Sequence, residues 1–376
     1  MLFVPFLHIY QPPTQYIRTL KKVAAESYAP LIETFERNPK AKATINICAS
    51  LTEQLVNHGY FDLVRRLGRL AERGQIELTG SAAYHPLLTR LPRSEVERQV
   101  RLNEEINCRH LGVFKPRGFF PPEMAFSREV GDAVSRLGYD WVLIEEITFP
   151  KRGKVRRDVV YRLSGSKLDI FFRNRDASLA IAFGRVRTAS ELEKTLSRSD
   201  EYFLAAMDGE TFGHHRPDAF PLLNDLYRGF KSVTISELLA RLLDRVEVEP
   251  LECSWAASWE GCRKGIAYPR WDNPESPLHV KQWELFGLAV EVVKRAGDHG
   301  KARELLDKAV HSDQFWWSSR APFWHPGMVI RGTRMLLEVV NAAPRVSREE
   351  RERARRLYDE IVTRGIESYG KKPIVG

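Results

Sequence analysis

Leu2-Phe3-Val4-Pro5-Phe6-Leu7-His8-Ile9-Tyr10-Gln11-Pro12 opens the chain as an apolar run that stops abruptly at polar side chains. The run is too short to span a membrane, which takes about 20 apolar residues. It also lacks the basic leader and small-residue cleavage site of a signal peptide. It reads as a buried first strand that delivers His8 and Tyr10 at its C-terminal end. The same pattern recurs at Ala43 to Cys48, Ile76 to Thr79, Gly118 to Phe120, Trp141 to Ile144, Leu168 to Phe172, Tyr202 to Met207 and Ser232 to Thr234. Amphipathic helical segments lie between several of these runs: Leu31 to Arg37, Phe61 to Arg73, Ser94 to His110, Arg128 to Leu137 and Ala189 to Leu196. Ser94 with Glu97 has the spacing of a capping box, and Gly138 follows Leu137 as a helix stop. Strands alternating with helices predict an α/β protein with a parallel sheet or a TIM-like barrel.

After about residue 275 the alternation ends. Leu278 to Arg295, Lys301 to Val310, His325 to Ala342 and Ser347 to Arg364 all read as helices. The expected organisation is therefore a catalytic barrel over residues 1–270 and a helical subdomain over 271–376 that completes a substrate cleft.

A chain of 376 residues with 43% apolar and 28% charged content can bury one large core or two. The net charge of +9 admits nucleic acid as a partner. The basic residues are spread out, however, with clusters only at Lys151 to Arg157 and Arg345 to Arg356, and Glu349, Glu350 and Glu352 interleave the second. That pattern favours a salt-bridged helix face over a nucleic-acid surface. Cys48, Cys108, Cys253 and Cys262 show no CxxC spacing, which argues against structural zinc. In a chain expected to be cytoplasmic they read as buried thiols, with a Cys253–Cys262 disulfide as the alternative.

In a parallel barrel, chemistry belongs at the C-terminal ends of the strands. Those ends carry His8 and Tyr10, then Glu123 after Phe119-Phe120-Pro121-Pro122, then Asp208 and Glu210 after Ala206-Met207. Glu77 lies within the third run. Each has a plainer reading: Glu123 as a helix N-terminal acid, Asp208-Gly209 as a turn, Glu77 as a solvent-facing strand residue, His8 as a core histidine. Their common placement is what singles them out. Seven of the eight tryptophans (Trp255, Trp259, Trp271, Trp283, Trp316, Trp317 and Trp324) follow residue 250. They fit either a core or aromatic platforms for sugar rings.

Taken in order, these motifs resemble glycoside hydrolase family 57. His8-Ile9-Tyr10-Gln11-Pro12 resembles its first motif, Gly74-Gln75-Ile76-Glu77 the second and Phe119-Phe120-Pro121-Pro122-Glu123 the third. Asp208-Gly209-Glu210-Thr211-Phe212-Gly213 resembles the fourth, and His311-Ser312-Asp313-Gln314-Phe315-Trp316-Trp317 the fifth. Phe171-Phe172-Arg173 also resembles a family segment. The resemblance implies an incomplete (β/α)7 barrel followed by a helical bundle, and a retaining hydrolase or transglycosylase acting on α-glucan. It implies Glu123 as nucleophile and Asp208 as acid/base, with the ionised Glu123 raising the pKa of Asp208 by like-charge repulsion. His8, Tyr10, Glu77, Glu210, His214, Trp255, Trp259, Asp313 and Trp316 are the expected substrate-binding residues. Tyr10 departs from the pattern, because the usual motif has His there.

No cofactor is expected. Zinc-dependent relatives carry a His-x-Asp at the first strand, where this chain has His8-Ile9-Tyr10, so no catalytic metal is expected either. A polysaccharide deacetylase-like enzyme and a non-catalytic glucan-binding or regulatory protein are the competing readings.

Overall fold

The computed structural model describes residues 1–150, 154–319 and 325–367. Its strands are β1 (Leu2–Ile9), β2 (Ala43–Ile47), β3 (Ile76–Thr79), β4 (Gly118–Phe119), β5 (Trp141–Ile144), β6 (Val160–Leu163), β7 (Asp169–Phe172), β8 (Tyr202–Asp208), β9 (Lys231–Ser232) and β10 (Arg245–Val248). One sheet runs β3-β2-β1-β8, with β9 also on β1, and is parallel throughout. The other runs β10-β6-β7-β5-β4 and is parallel except between β6 and β7. A parallel bridge between Gly80 and Phe119 joins the two at β3 and β4. On the far side, the Asn174 amide after β7 donates to the Leu204 carbonyl of β8 at 2.6 Å.

The central position of β1 follows from its alternation. Side chains of successive strand residues point to opposite faces. Phe3, Leu7 and Ile9 pack outward on a core shared with the helices Ala29–Arg37 and Phe61–Glu72. Val4 and Phe6 face inward, onto Phe120, Trp141, Phe171 and Leu204. His8 continues the inward face, and its register partner on β8 is Asp208. One strand pair therefore sets two polar side chains side by side at the end of an apolar interior.

Seven of the eight expected strands match to within a residue; the last, at β9, is displaced toward the N-terminus. The sequence reading missed β6 and β10, whose Val160, Tyr161, Leu163 and Val248 are buried in short runs among charged residues. It also missed the short helix Asp313–Ser318. The Ser94–Glu97 capping box does not form: the helix Arg93–Leu111 starts from Pro92, and Glu97 pairs with Arg93 at 2.8 Å. A capping box does occur at Thr234 and Glu237. Gly138 takes a positive φ of 90° directly after the helix Arg128–Arg136 and its cap Leu137, as a stop residue should. All four cysteines are free thiols, so the Cys253–Cys262 disulfide is absent. Lys151 and Trp324 lie outside the described residues.

No described residue after Val248 belongs to a strand. The helices Pro277–Arg295, Gly300–Ala309, Pro326–Ala342 and Arg348–Glu367 gather around Leu285, Leu306, Leu336 and Ile361. On the last helix, Arg348 pairs with Glu352 at 2.8 Å, and Glu350 receives Arg295 at 2.8 Å, so the charge there is largely self-compensated.

A buried ion cluster ties this region to the helix Arg93–Leu111, which follows β3. Arg303 donates to both oxygens of Glu95 at 2.7 and 2.9 Å and pairs with Asp307 at 2.9 Å. Arg98 grips Asp307 with two contacts of 2.6 Å. Removing one partner of such a cluster strands a charge, whereas replacing a matched pair by apolar groups is close to neutral. Arg303→Met is expected to lower stability by about 3–5 kcal/mol, and adding Glu95→Met to recover at least half of that. Urea unfolding of the two variants tests this, and a wild-type midpoint for the single variant would remove the cluster from its structural role.

Candidate active site

A cavity of about 320 Å³ opens where β1, β8 and the segment after β4 end. It is lined by His8, Tyr10, Glu123, Asp208, Glu210 and Asp313, and by His85, His215, Trp255, Trp316 and Trp317. That volume lies at the lower end of small-molecule sites, roughly 300–1,000 Å³.

Glu123 is aimed by strain as well as by contacts. Its φ is 62°, in the left-handed region that costs a side-chain-bearing residue of order 1–3 kcal/mol. Ser312 Oγ donates to Glu123 Oε1 at 2.8 Å, and Trp255 Nε1 donates to Oε2 at 3.0 Å. His85 Nδ1 stands 3.6 Å from Oε1. Burial, then the charge of Asp313, pushes the Glu123 carboxyl up to about 8; Asp208 adds to this, while the Ser312 and Trp255 bonds pull it back. Burial also raises Asp208, and His8 and Arg173 hold it down. The expected direction of coupling is therefore modified: burial dominates at Asp208, and its charge in turn raises Glu123.

Glu210 is raised to about 8 by burial and by Asp208. The Tyr28 hydroxyl donates to it, as does the Tyr10 amide at 3.2 Å. The Tyr10 hydroxyl donates to Asp313 Oδ2 at 2.6 Å, and burial holds the phenol well above its ordinary range, so it stays a neutral donor. His8 is lowered by burial, and its Nδ1 meets Asn46 Oδ1 at 2.7 Å.

Three sequence candidates lie elsewhere. Glu77 is held by Thr44 Oγ1 at 3.2 Å and by the Ser236 amide at 3.0 Å, next to the start of the helix Ile235–Leu239, and does not reach the cavity. His214 pairs with Glu26 at 2.7 Å; its neighbour His215 lines the cavity instead. Trp259 is 41% exposed beneath Arg263, away from the cavity. Of the residues named as candidates, Glu123, Asp208, His8, Tyr10, Glu210, Trp255, Asp313 and Trp316 do line it. Sequence reading passed over His85 and His215, which follow no strand motif, and Ser312, whose signal was its place between His311 and Asp313. Arg173, from the Phe171-Phe172-Arg173 segment, lies 5.8 Å over the Trp255 ring.

An acid held near 8 loses its proton only above the pH at which an unfolded glutamate does. The fold is thus weakened as pH rises from about 4.5 to about 8, and the penalty is complete above that. Glu123→Gln is expected to be more stable than the parent at pH 9, by an amount of the order of a few kcal/mol. The advantage should shrink at pH 4.5. Equal pH dependence of the two unfolding midpoints would show that Glu123 is not held protonated.

Comparison with known proteins places the chain. The model of glycosyl hydrolase family 57 matches residues 2–243. An alpha-amylase of Pyrococcus horikoshii is 25% identical over 219 residues, covering 56% of this chain and 34% of the relative. A 4-alpha-glucanotransferase of Thermococcus litoralis is 22% identical over 340 residues, covering 87% of this chain and 50% of the relative. The chain thus spans half or less of the length of these curated relatives. Among solved structures, a GH57-type branching enzyme from Pyrococcus horikoshii superposes with a TM-score of 0.72 at 18% identity, covering 100% of this chain and 98% of the other. A GH57 branching enzyme from Thermococcus kodakaraensis gives 0.71 at 16%, covering 99% and 97%. At these identities the superpositions speak for the fold.

Proposed function

The chain belongs to glycosyl hydrolase family 57, and from that premise we propose that it cleaves or transfers α-1,4-glucan through a covalent glycosyl-enzyme, with Glu123 as nucleophile and Asp208 as acid/base. The observation that carries this reading is the pair itself: two carboxyl groups on one cavity, Glu123 buried and Asp208 half-buried, both raised in pKa, one steered by a strained backbone. We read the succession β8-β1-β2-β3-β4-β5-β7 as an incomplete (β/α)7 barrel. In this reading the helices from residue 271 onward form the subdomain that completes the cleft, through Asp313 and Trp316.

Glu123 attacks the anomeric carbon as the glycosidic C–O bond breaks, and Asp208 gives its proton to the departing oxygen. Asp208, now ionised, then takes a proton from water or a sugar hydroxyl, which displaces Glu123 from the anomeric carbon. Water gives a shortened glucan; a sugar hydroxyl gives a transferred one. Tyr10, Asp313, Glu210 and His8 orient the ring by hydrogen bonds, and Trp316 offers an aromatic face. Because the two carboxyl groups interact, they titrate as a unit, and the reactive form is the one carrying a single proton.

Activity against pH is expected to be bell-shaped, falling on the alkaline side as the pair loses that last proton, and burial shifts that limb above the ordinary carboxylate range. Glu123→Gln should abolish turnover of maltooligosaccharides and amylose, and full activity in it would sink the assignment. Asp208→Asn should keep a slow reaction only with substrates bearing a good leaving group, and its profile should lose the alkaline limb. Product analysis separates the two outcomes of the intermediate: new reducing ends mean hydrolysis, and a redistributed ladder with reducing ends unchanged means transfer. No change with any α-glucan would favour a glucan-binding protein instead.

A further inference from the structure

Cys48 has no part in the glucan reading. It sits at the end of β2, fully buried, behind the cavity wall formed by His8 and His85. Its Sγ and one ring nitrogen of each of these histidines lie within 4.8 Å of one another. We propose that His8, Cys48 and His85 form a binding site for a thiophilic divalent cation, Zn²⁺ by its chemistry, and that the bound ion blocks the floor of the substrate cavity.

Hydrogen bonding fixes which nitrogen of each imidazole carries the proton. Asn46 donates through Nδ2 to Thr79 at 3.1 Å, so its Oδ1 accepts, and His8 Nδ1 must carry the proton. Ser312 Oγ spends its own hydrogen on Glu123 and therefore accepts from His85 Nδ1 at 3.1 Å. Each ring is left with its lone pair on Nε2. His85, 2% exposed, has no hydrogen-bond partner at that atom among the described residues. A ring whose Nδ1–H is fixed by a neighbour and whose Nε2 is free is the usual arrangement behind a metal-ligating histidine. Burial lowers the pKa of both rings, which favours the uncharged form a ligand needs.

The donor set selects the ion. One thiolate and two imidazoles suit Zn²⁺ and leave Mg²⁺ and Ca²⁺, which want oxygen, without ligands. Among the described residues, Cys48 Sγ meets only Asn46 Oδ1 at 3.7 Å and Ser81 Oγ at 3.8 Å, weak partners that an ion displaces readily. On binding, the metal–sulfur bond forms as the thiol releases its proton to solvent. Tetrahedral zinc sets such donors about 3.5 Å apart. The three close in from their present spacing, and the His8 and His85 rings, stacked at 4.9 Å, tilt to bring their lone pairs to one point. His8 and His85 both line the cavity and His85 Nδ1 stands 3.6 Å from Glu123 Oε1, so an ion bound here would lie near that carboxyl and hold its negative form. Binding itself does not depend on the glucan reading; the block on turnover does.

The test uses the full chain, freed of metal by chelation and titrated with ZnCl₂, with bound metal counted after dialysis. One Zn²⁺ per chain is expected, with affinity reduced by at least about tenfold in Cys48→Ser. Co²⁺ in place of Zn²⁺ should give a thiolate-to-cobalt charge-transfer band that Cys48→Ser and Cys48→Ala both lack. Amylose turnover by the parent should stop with Zn²⁺ and return with EDTA, while metal-free Cys48→Ser should turn over as the parent does. The proposal is overturned if the parent retains no zinc, or if both Cys48 variants retain it as tightly as the parent. A protein that binds zinc through Cys48 but acts on no glucan would leave the site standing and remove only the enzymatic reading.

Discussion

Four carboxyl groups, Glu123, Asp208, Glu210 and Asp313, share one cavity of about 320 Å³, and much of the surrounding structure serves to make that tolerable. Buried charge is expensive unless it is neutralised or hydrogen-bonded. Each acid has been given its own answer. Glu210 is surrounded by the Tyr28 hydroxyl and the Tyr10 amide. Asp313 takes the Tyr10 hydroxyl. Asp208 lies in the field of His8 and Arg173. Glu123 is left with two neutral donors and a raised affinity for protons. Tyr10 thus bridges two acids at once, through its amide and its hydroxyl. Where the family motif commonly has His, a phenol keeps a donor in place without adding a charge.

The cavity is assembled from distant parts of the chain. Ser312 and Asp313 come from the helical region, Trp255 from a loop that pairs with the Phe126 segment, and the remaining acids from the ends of β4 and β8. The ion cluster of Arg303, Glu95, Asp307 and Arg98 holds the helix that precedes Ser312 against the helix that follows β3. A shift at that cluster would be felt at Glu123, because Ser312 donates directly to it.

The parts of this arrangement that could be read in the sequence are those with a periodic signal. β1 and β8 are unbroken apolar runs, and the polar side chains at their ends stand out for that reason. β6 and β10 carry their apolar residues among Arg and Glu, so no run announces them. Glu77 misled because a carboxylate inside a strand pattern looks the same whether it faces a substrate or a helix N-terminus; only the position of Ser236 decides. Trp259 misled because its indole is a surface platform for Arg263. His85 and Ser312 were hidden by their setting in irregular backbone, where no spacing rule applies, although both touch or approach Glu123.

The backbone at Glu123 carries a lesson for the history of such chains. Glycine or asparagine would sit there more comfortably than glutamate, since both accept a positive φ at smaller cost. A lineage released from the need for chemistry would gain stability by drifting to either of them, while the strands and the apolar interior stayed intact. The residue at this one position would then tell a working copy from a retired one before any assay was run. Glutamate at a site where folding alone would favour glycine is a sign of selection for something other than folding.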